Sequence, residues 1–392
     1  MSDGLILGIE SSCDETSAAV VRGGREVLAN VVASQMVHAE YGGVVPELAS
    51  REHLRAIVPV VREAMQRAGV KYEDLDAVAV TEGPGLAGAL LVGITFAKAL
   101  AMGVERPLIA VNHLEGHIHA VLMEAGTSLA ELAPILALVV SGGHTHLYLA
   151  GKTTAHMWRY RNVGKTLDDA AGEAYDKVAK LLGLPYPGGP WMDALAAYGD
   201  PAAVRFSFAQ IKTKAHGHAA PKLTREAAAD ERHFDMSFSG IKTAVRRYVE
   251  LHEMRERVAE REAAFRAEGL AATKASDSAA LARVRSLLDE EALNLIASFQ
   301  ASVTGYLTRM AMAAAKHFGA EALVVSGGVA ANRELRRRMT EEAARRGLPV
   351  AFPSISLSTD NAAMIAAAAW PKLVAGQFAE DSLEPTPQLR LG

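Results

Sequence analysis

Two histidines and the acid between them are the residues of this chain best suited to chemistry. The string LIAVNHLEGH (108–117) reads as a buried strand feeding a helix. His113 and His117, four residues apart, then fall on one helical face and can share a metal ion. Glu115 takes the middle position, whereas zinc-protease helices carry their acid at the second place (HExxH) or the fourth (HxxEH). A peptidase built on this helix would lack its general base. Such a pair also occurs on ordinary polar helix faces, so the metal reading needs support from elsewhere in the chain.

The elements that must position these residues alternate between strand and helix. LILGIE (5–10), SAAVV (17–21) and EVLANVV (26–32) read as short strands, with the polar turn SSCDET between the first two. Apolar residues at helical spacing from Pro46 to Ala68 give a helix, and AVAV (77–80) a strand. TEGPGLAG is a glycine-rich turn opening another apolar helix. A second round starts at ILALVVSGG (135–143), with HTHLYLA (144–150) as the returning strand of a hairpin. ALVVSGGVA (322–330) repeats the VVSGG string before a helix from Asn332, which suggests a partial internal duplication. The pattern is that of an α/β fold.

With 392 residues, 50% of them hydrophobic, the chain exceeds what one core normally organises, and two domains are expected. Cys13 is the one cysteine, which excludes an internal disulfide and a cysteine-rich zinc site and fits a reducing compartment. The N-terminal residues lead straight into a strand without a basic region or cleavable apolar core, and no uncharged apolar run reaches membrane-spanning length. A cytoplasmic protein is expected. A formal net charge of −4 gives no global attraction to nucleic acid, so a polynucleotide must meet a local basic patch or a partner. One such patch is 205–235, with Lys212, Lys214, His216, His218, Lys222 and Arg225; a solvated insertion is the plainer reading. Segment 251–290 is charged, alanine-rich and helical in pattern, and is expected to be a solvated excursion.

The two hairpins have a use of their own. Backbone N–H groups in the SSCDET and SGGHT turns can converge on phosphate oxygens, and Gly142 and Gly143 let a ligand approach without a Cβ in the way. Asn332 and Arg333 offer polar groups for a base or ribose, though asparagine there is also an ordinary helix N-cap.

The strings GIESSCDETSAAVV, EGPGLAGALLVG, VNHLEGHIHA, VVSGGHTHL, DDAAGEAYDKVAKLLGLPYPGGP, FSGIKTAV, VVSGGVAANRELR and STDNAAMIA together resemble the TsaD family, formerly named O-sialoglycoprotein endopeptidases. They run in order to about residue 366, with departures confined to 205–235 and 251–290. The resemblance implies two related lobes of the actin/Hsp70/sugar-kinase type facing each other across a nucleotide- and metal-binding cleft. We expect a first lobe over 1–120, carrying the first hairpin and the histidine helix, and a second over 121–392, whose final helix packs back toward the first.

By the same resemblance, His113, His117 and Asp360 hold one divalent metal, Fe²⁺ by family habit with Zn²⁺ compatible. Without that context, Asp360 is a helix-start acid favoured by the macrodipole. Val139, Val140, Ser141, Gly142, Gly143, Asp176, Gly189, Asp193 and Asn332 are expected to hold the nucleotide, and Asp14 and Glu15 to face the cleft as candidate proton acceptors. Turn capping accounts equally well for Asp14 and Glu15. His119, two residues past His117, is expected to face away.

The implied activity is transfer of threonylcarbamoyl from threonylcarbamoyl-AMP to the N6 amine of the adenosine 3′ of the anticodon, in tRNAs reading codons that begin with A. The implied partners are tRNA, a paralogous TsaB-like protein without the metal residues, and a small TsaE-like ATPase. Two alternatives stand beside it, a metalloendopeptidase and an ATP-binding or kinase-like member of the same fold.

Overall fold

The computed structural model describes residues 3–41, 43–153, 157–208, 233–270 and 273–392. The first lobe is built from β1 (Leu5–Glu10), β2 (Glu15–Arg22), β3 (Glu26–Ser34), α1 (Pro46–Ala68), β4 (Ala77–Gly83), α2 (Ala87–Gly103) and β5 (Leu108–Asn112). Helix α3 (His113–Glu131) leads into the second lobe. There follow β6 (Ile135–Val140), β7 (Thr145–Lys152), β8 (Trp158–Lys165), α4 (Ala171–Leu181), α5 (Gly188–Leu195), α6 (Ser239–Leu251), α7 (Arg255–Ala267), α8 (Ser278–Ser286) and α9 (Glu290–Phe318). The last elements are β9 (Ala322–Ser326), α10 (Arg333–Arg345), β10 (Val350–Ala351), α11 (Ile355–Ser358) and α12 (Ala362–Val374).

Each lobe holds one mixed five-stranded sheet, ordered β3-β2-β1-β4-β5 in the first and β8-β7-β6-β9-β10 in the second. The orders are identical with every strand moved on by five. In both, the first three strands form an antiparallel meander, and the first, fourth and fifth run parallel. The duplication expected from the sequence is present, but its unit is the whole sheet. The two VVSGG strings are not its two copies: they lie side by side in one sheet, with Val139 opposite Ser326. Both strands were selected for the same surroundings, full burial between layers, which is why they read alike.

The lobes exchange their covering helices. On the first sheet, α1 and α2 cover one face through Ile57, Val61, Leu90 and Ile94 against Leu7, Ile9 and Val80. The other face is covered by α12, the last helix of the chain, through Ala362, Met364 and Ala366 against Ile6, Ala19 and Val111. Reciprocally, α3, which follows the first sheet, packs Leu114, Ile118 and Val121 onto Ile135, Val139 and Val324 of the second. Burying each such side chain contributes about 1.5–3 kcal/mol, so the start of α3 is firmly held. Residue 120, the expected lobe boundary, therefore falls inside a helix that serves both lobes.

The excursion 251–290 is a correction. Instead of standing in solvent, α7 and α8 dock on the second lobe through Met254, Phe265, Ala280 and Val284. Arg261 is itself buried, its guanidinium donating to the carbonyls of Leu182 and Leu287 while its stem packs. The basic residues Lys212, Lys214, His216, His218, Lys222 and Arg225 lie outside the described residues.

Candidate functional site

His113 and His117 occupy the first turns of α3, where Asn112 caps the helix by accepting from the N–H of Leu114 at 2.9 Å. Asp360 sits just before α12, whose own cap is Asn361, accepting from Met364 N–H at 3.1 Å. The two helices cross at Gly116, where a Cβ would lie 2.9 Å from Cδ1 of Ile365, so the close approach is made over a residue without a side chain. The crossing brings the three groups together. Nε2 of His117 stands 3.1 Å from Oδ1 of Asp360, and Nε2 of His113 3.6 Å from the same oxygen. One donor atom from each residue falls within 4.8 Å of the others.

Two observations show that a metal fits. Both ring nitrogens of His117 are buried without a hydrogen-bond partner, the short approach to Asp360 lacking the angle for one. His113, in contrast, is oriented from behind, with Nδ1 3.1 Å from Oε2 of Glu10 and 3.2 Å from the hydroxyl of Ser12. Assigning the Nδ1 proton to that carboxylate leaves Nε2 as a bare ligand toward Asp360. Glu10 is fixed in turn by the N–H of Ser12 at 2.5 Å and the hydroxyl of Thr81 at 2.6 Å. The field at the cluster favours a cation: burial opposes it, yet Asp360 and Glu10 push His113 up to about 9. Against burial, the histidines hold the Asp360 carboxyl well below the usual carboxylate range. Two imidazoles and one carboxylate leave coordination positions open, as catalytic metal sites do.

Glu115 takes no part. Its carboxylate pairs with Nζ of Lys372 at 2.9 Å, which also donates to the carbonyl of Ala110. His119 faces away, bonded to the hydroxyl of Tyr160 at 2.9 Å. The acid a peptidase would need is thus committed to an ion pair.

The second hairpin reaches the group of His113, His117 and Asp360 through His144, whose ring centre lies 6.1 Å from that of His113. Burial, then the neighbouring His113, His146 and His117, hold its imidazole down to about 3, hence neutral. The turn is closed by Ser141 N–H donating to the His144 carbonyl at 2.8 Å, with Gly142 and Gly143 at an exposed tip. A Cβ on either glycine would meet nothing within 4 Å, so packing does not demand them. Val139 and Val140 are fully buried in β6 and can only hold the turn in place.

The remaining expected nucleotide residues fall into two groups. Asp176 accepts from the N–H groups of Gly188 and Gly189 at 2.8 and 3.4 Å, at the start of α5. Burial pushes its carboxyl up to about 6 despite those bonds, and Asp14, in the first lobe's hairpin, adds to the rise. Asp14 and Asp176 therefore feel each other between the lobes. Glu15 is pushed well above the usual range by burial, then by Asp14 and Asp360. Asn332 and Asp193 belong to a second group bridged by Gln300, which bonds Nδ2 of Asn332 at 2.8 Å and Oδ1 of Asp193 at 3.3 Å. Arg333 completes it, 2.9 Å from Asp193, while Oδ1 of Asn332 caps α10. Sequence reasoning missed Glu10, Ser12, His144 and Gln300; a charged residue ending the apolar strand LILGIE was the available signal for the first.

The profile of the TsaD family, described as tRNA N6-adenosine threonylcarbamoyltransferase, matches residues 26–367. This chain belongs to the TsaD family. A relative of that name from Koribacter versatilis is 57% identical over 394 residues, spanning the whole of both chains. Another, from Symbiobacterium thermophilum, is 47% identical over all of this chain and 98% of its own. Among solved structures, full-length HypF in its phosphate- and nucleotide-bound form has a TM-score of 0.52 at 13% identity, covering 96% of this chain and 47% of HypF. That likeness shows the fold alone, an α/β architecture of two lobes. In this TsaD-family chain, the three metal-fitting residues lie inside the matched span. Among the described residues, no helix is long and apolar enough to cross a membrane.

Proposed function

We propose that this chain transfers the threonylcarbamoyl group from threonylcarbamoyl-AMP to the N6 amine of the adenosine 3′ of the anticodon in tRNA. The observation that carries the reading is the buried, partnerless His117 ring meeting His113 and Asp360 within a full-length TsaD-family chain.

The donor is a mixed anhydride whose adenylate already makes a good leaving group, while the amine's lone pair is delocalised into the adenine ring. Alignment and stabilisation of charge on the carbamoyl oxygen are the protein's tasks. A divalent ion on His113, His117 and Asp360, Fe²⁺ in our reading with Zn²⁺ the alternative, supplies Lewis acidity and a template for the donor's oxygens. The tip at Gly142 and Gly143, with its open space, receives phosphate oxygens on backbone N–H groups. Asp176 accepts from ribose hydroxyls, with Gly189 beside it at the start of α5. The group of Asp193, Gln300, Asn332 and Arg333 fixes the start of α10 on the adenylate side. As the amine attacks, the carbon–oxygen bond to phosphate breaks and AMP leaves. The amine proton goes to the acids of the first hairpin, Glu15 with Asp14 beside it.

The protein works in the cytoplasm with tRNA, a paralogous TsaB-like partner and a TsaE-like ATPase. Exposed Leu54 and Val58 on α1 and Leu91 on the adjoining α2 support a protein partner on the first lobe. The test is reconstitution with tRNA lacking the modification, threonine, bicarbonate, ATP, a donor-forming synthase and the partners, followed by nucleoside mass analysis. A threonylcarbamoyladenosine peak dependent on this chain supports the reading.

A further inference from the structure

We propose that Arg336 is a positioning residue that ties the metal ligand Asp360 to the glycine turn at the start of α10. The proposal rests on the reading of that turn as nucleotide-facing and of the three residues as a metal site.

The segment from Pro353 to Asp360 leaves the second sheet after β10 and crosses to α12 on the first lobe. It is the one stretch of chain that brings Asp360 to the histidines, so its placement sets the third ligand. Two charged side chains hold it. From α10, Nε of Arg336 donates to the carbonyl of Ala330 at 2.6 Å, and Nη2 donates to the carbonyl of Pro353 at 2.7 Å and to the hydroxyl of Ser358 at 3.2 Å. From α3, Glu124 accepts from the N–H of Ser354 at 2.6 Å. The Ser358 hydroxyl in turn donates to the carbonyl of Ser354 at 2.9 Å, closing the segment on itself two residues before Asp360. The guanidinium also lies over the ring of Phe352, its carbon 5.0 Å from the ring centre.

A guanidinium is a rigid plane with donors at fixed angles. Ala330 lies within the turn Gly328–Ala331, and a Cβ on Gly328 would meet nothing within 4 Å, so the turn has room for a ligand. A shift of that turn as AMP seats is therefore carried through one side chain to Pro353 and Ser358, and so to Asp360. Metal and nucleotide affinities become linked, and the linkage is reciprocal.

The experiment titrates Zn²⁺ against a competing chelator, with and without saturating AMP, on wild-type protein and Arg336→Met, alongside each protein's unfolding midpoint. Wild type should show a Zn²⁺ affinity that AMP changes. Arg336→Met should bind Zn²⁺ about tenfold more weakly or worse, as loss of an outer-shell support does, and AMP should no longer alter it. Arg336→Lys keeps the charge but offers one compact head for three acceptors, so it should not restore the AMP effect. Should Arg336→Met fail to fold, Ser358→Ala removes the acceptor nearest Asp360, together with that hydroxyl's own bond to Ser354, and is read in the same way. A lowered unfolding midpoint with Zn²⁺ affinity and AMP effect intact would overturn the proposal, as would full rescue by lysine. Wild type that binds Zn²⁺ indifferently to AMP overturns this proposal alone. Wild type that takes up no Zn²⁺ overturns the metal reading and this proposal with it.

Discussion

Glu10, at the end of the first strand, accepts a hydrogen bond from Nδ1 of His113, in the first turn of α3, across 3.1 Å. A strand that reads as plain core thus sets the direction of a candidate ligand. The carboxylate selects the tautomer whose Nε2 faces His117 and Asp360, and burial of both partners keeps water from competing.

Substituting Glu10→Gln should therefore lower metal affinity by roughly ten- to a hundredfold while leaving the three ligands in place. The amide oxygen can still accept from the N–H of Ser12, so the strand should fold. Chelator competition measures this, and unchanged affinity would show that the carboxylate does not orient His113.

Glu115→Gln should behave in the opposite way. Lys372 loses its partner at 2.9 Å in a largely buried setting, which should cost about 1–3 kcal/mol of stability. Metal content and transfer should stay at wild-type levels, because the carboxylate faces away from the cleft. A collapse of activity in well-folded Glu115→Gln would instead revive a catalytic role for this acid.

The histidine pair was legible because a helix repeats every 3.6 residues and the two positions are four apart. Asp360 was legible only through resemblance, since nothing in STDNAAM says which sheet the next helix will cover. The return of α12 to the first lobe was likewise expected only through resemblance, because AAMIAAAAW is apolar all round and fits a core without naming it, and the reciprocal packing of α3 on the second sheet stayed hidden. Glu10 was passed over as part of a strand, though an acid completing an otherwise buried run needs a partner and so was itself a clue. The excursion misled because Met254, Phe265 and Val284 are spread thinly through charged sequence. Nor does local pattern foretell that Arg261 satisfies its charge on backbone carbonyls.

Asp176 gives the account a pH dependence. With its carboxyl pushed up to about 6, it is ionised above that pH and progressively protonated below it. Ribose hydroxyls need the ionised form, so AMP affinity should fall as pH drops through about 6, up to tenfold per unit. Asp176→Asn should bind AMP some ten- to a hundredfold more weakly at neutral pH and lose that dependence. For stability the sign reverses: a raised folded-state value means the native state holds the proton more tightly, so ionising Asp176 costs stability as pH rises from the ordinary carboxylate range through 6. At pH 7.5, Asp176→Asn should therefore unfold at a higher denaturant concentration than wild type. Calorimetric titration across pH 5 to 8 and a denaturant series check both halves.

The basic residues Lys212, Lys214, Lys222 and Arg225 supply a prediction from sequence alone. If they meet tRNA phosphates, replacing all four with serine should weaken tRNA binding and flatten its salt dependence, by about 0.7–0.9 in log–log slope for each lost contact. AMP binding should be untouched. Filter binding over a salt series with the partners present measures this, and equal slopes for wild type and variant would show that the segment does not touch phosphate.

The central claim is that His113, His117 and Asp360 carry a metal that serves threonylcarbamoyl transfer, and His117 tests it most directly. His117→Ala removes one of the three candidate ligands and, because the ring is fully buried beside His113 and Asp360, its effect on folding is measured alongside. The measurement is nucleoside mass analysis of tRNA from the reconstituted reaction, run with wild type and with His117→Ala whose metal content and folding have been determined. Wild type should yield threonylcarbamoyladenosine; the folded variant should hold little metal and yield almost none. A folded, metal-depleted His117→Ala that modifies tRNA at the wild-type rate would contradict the account.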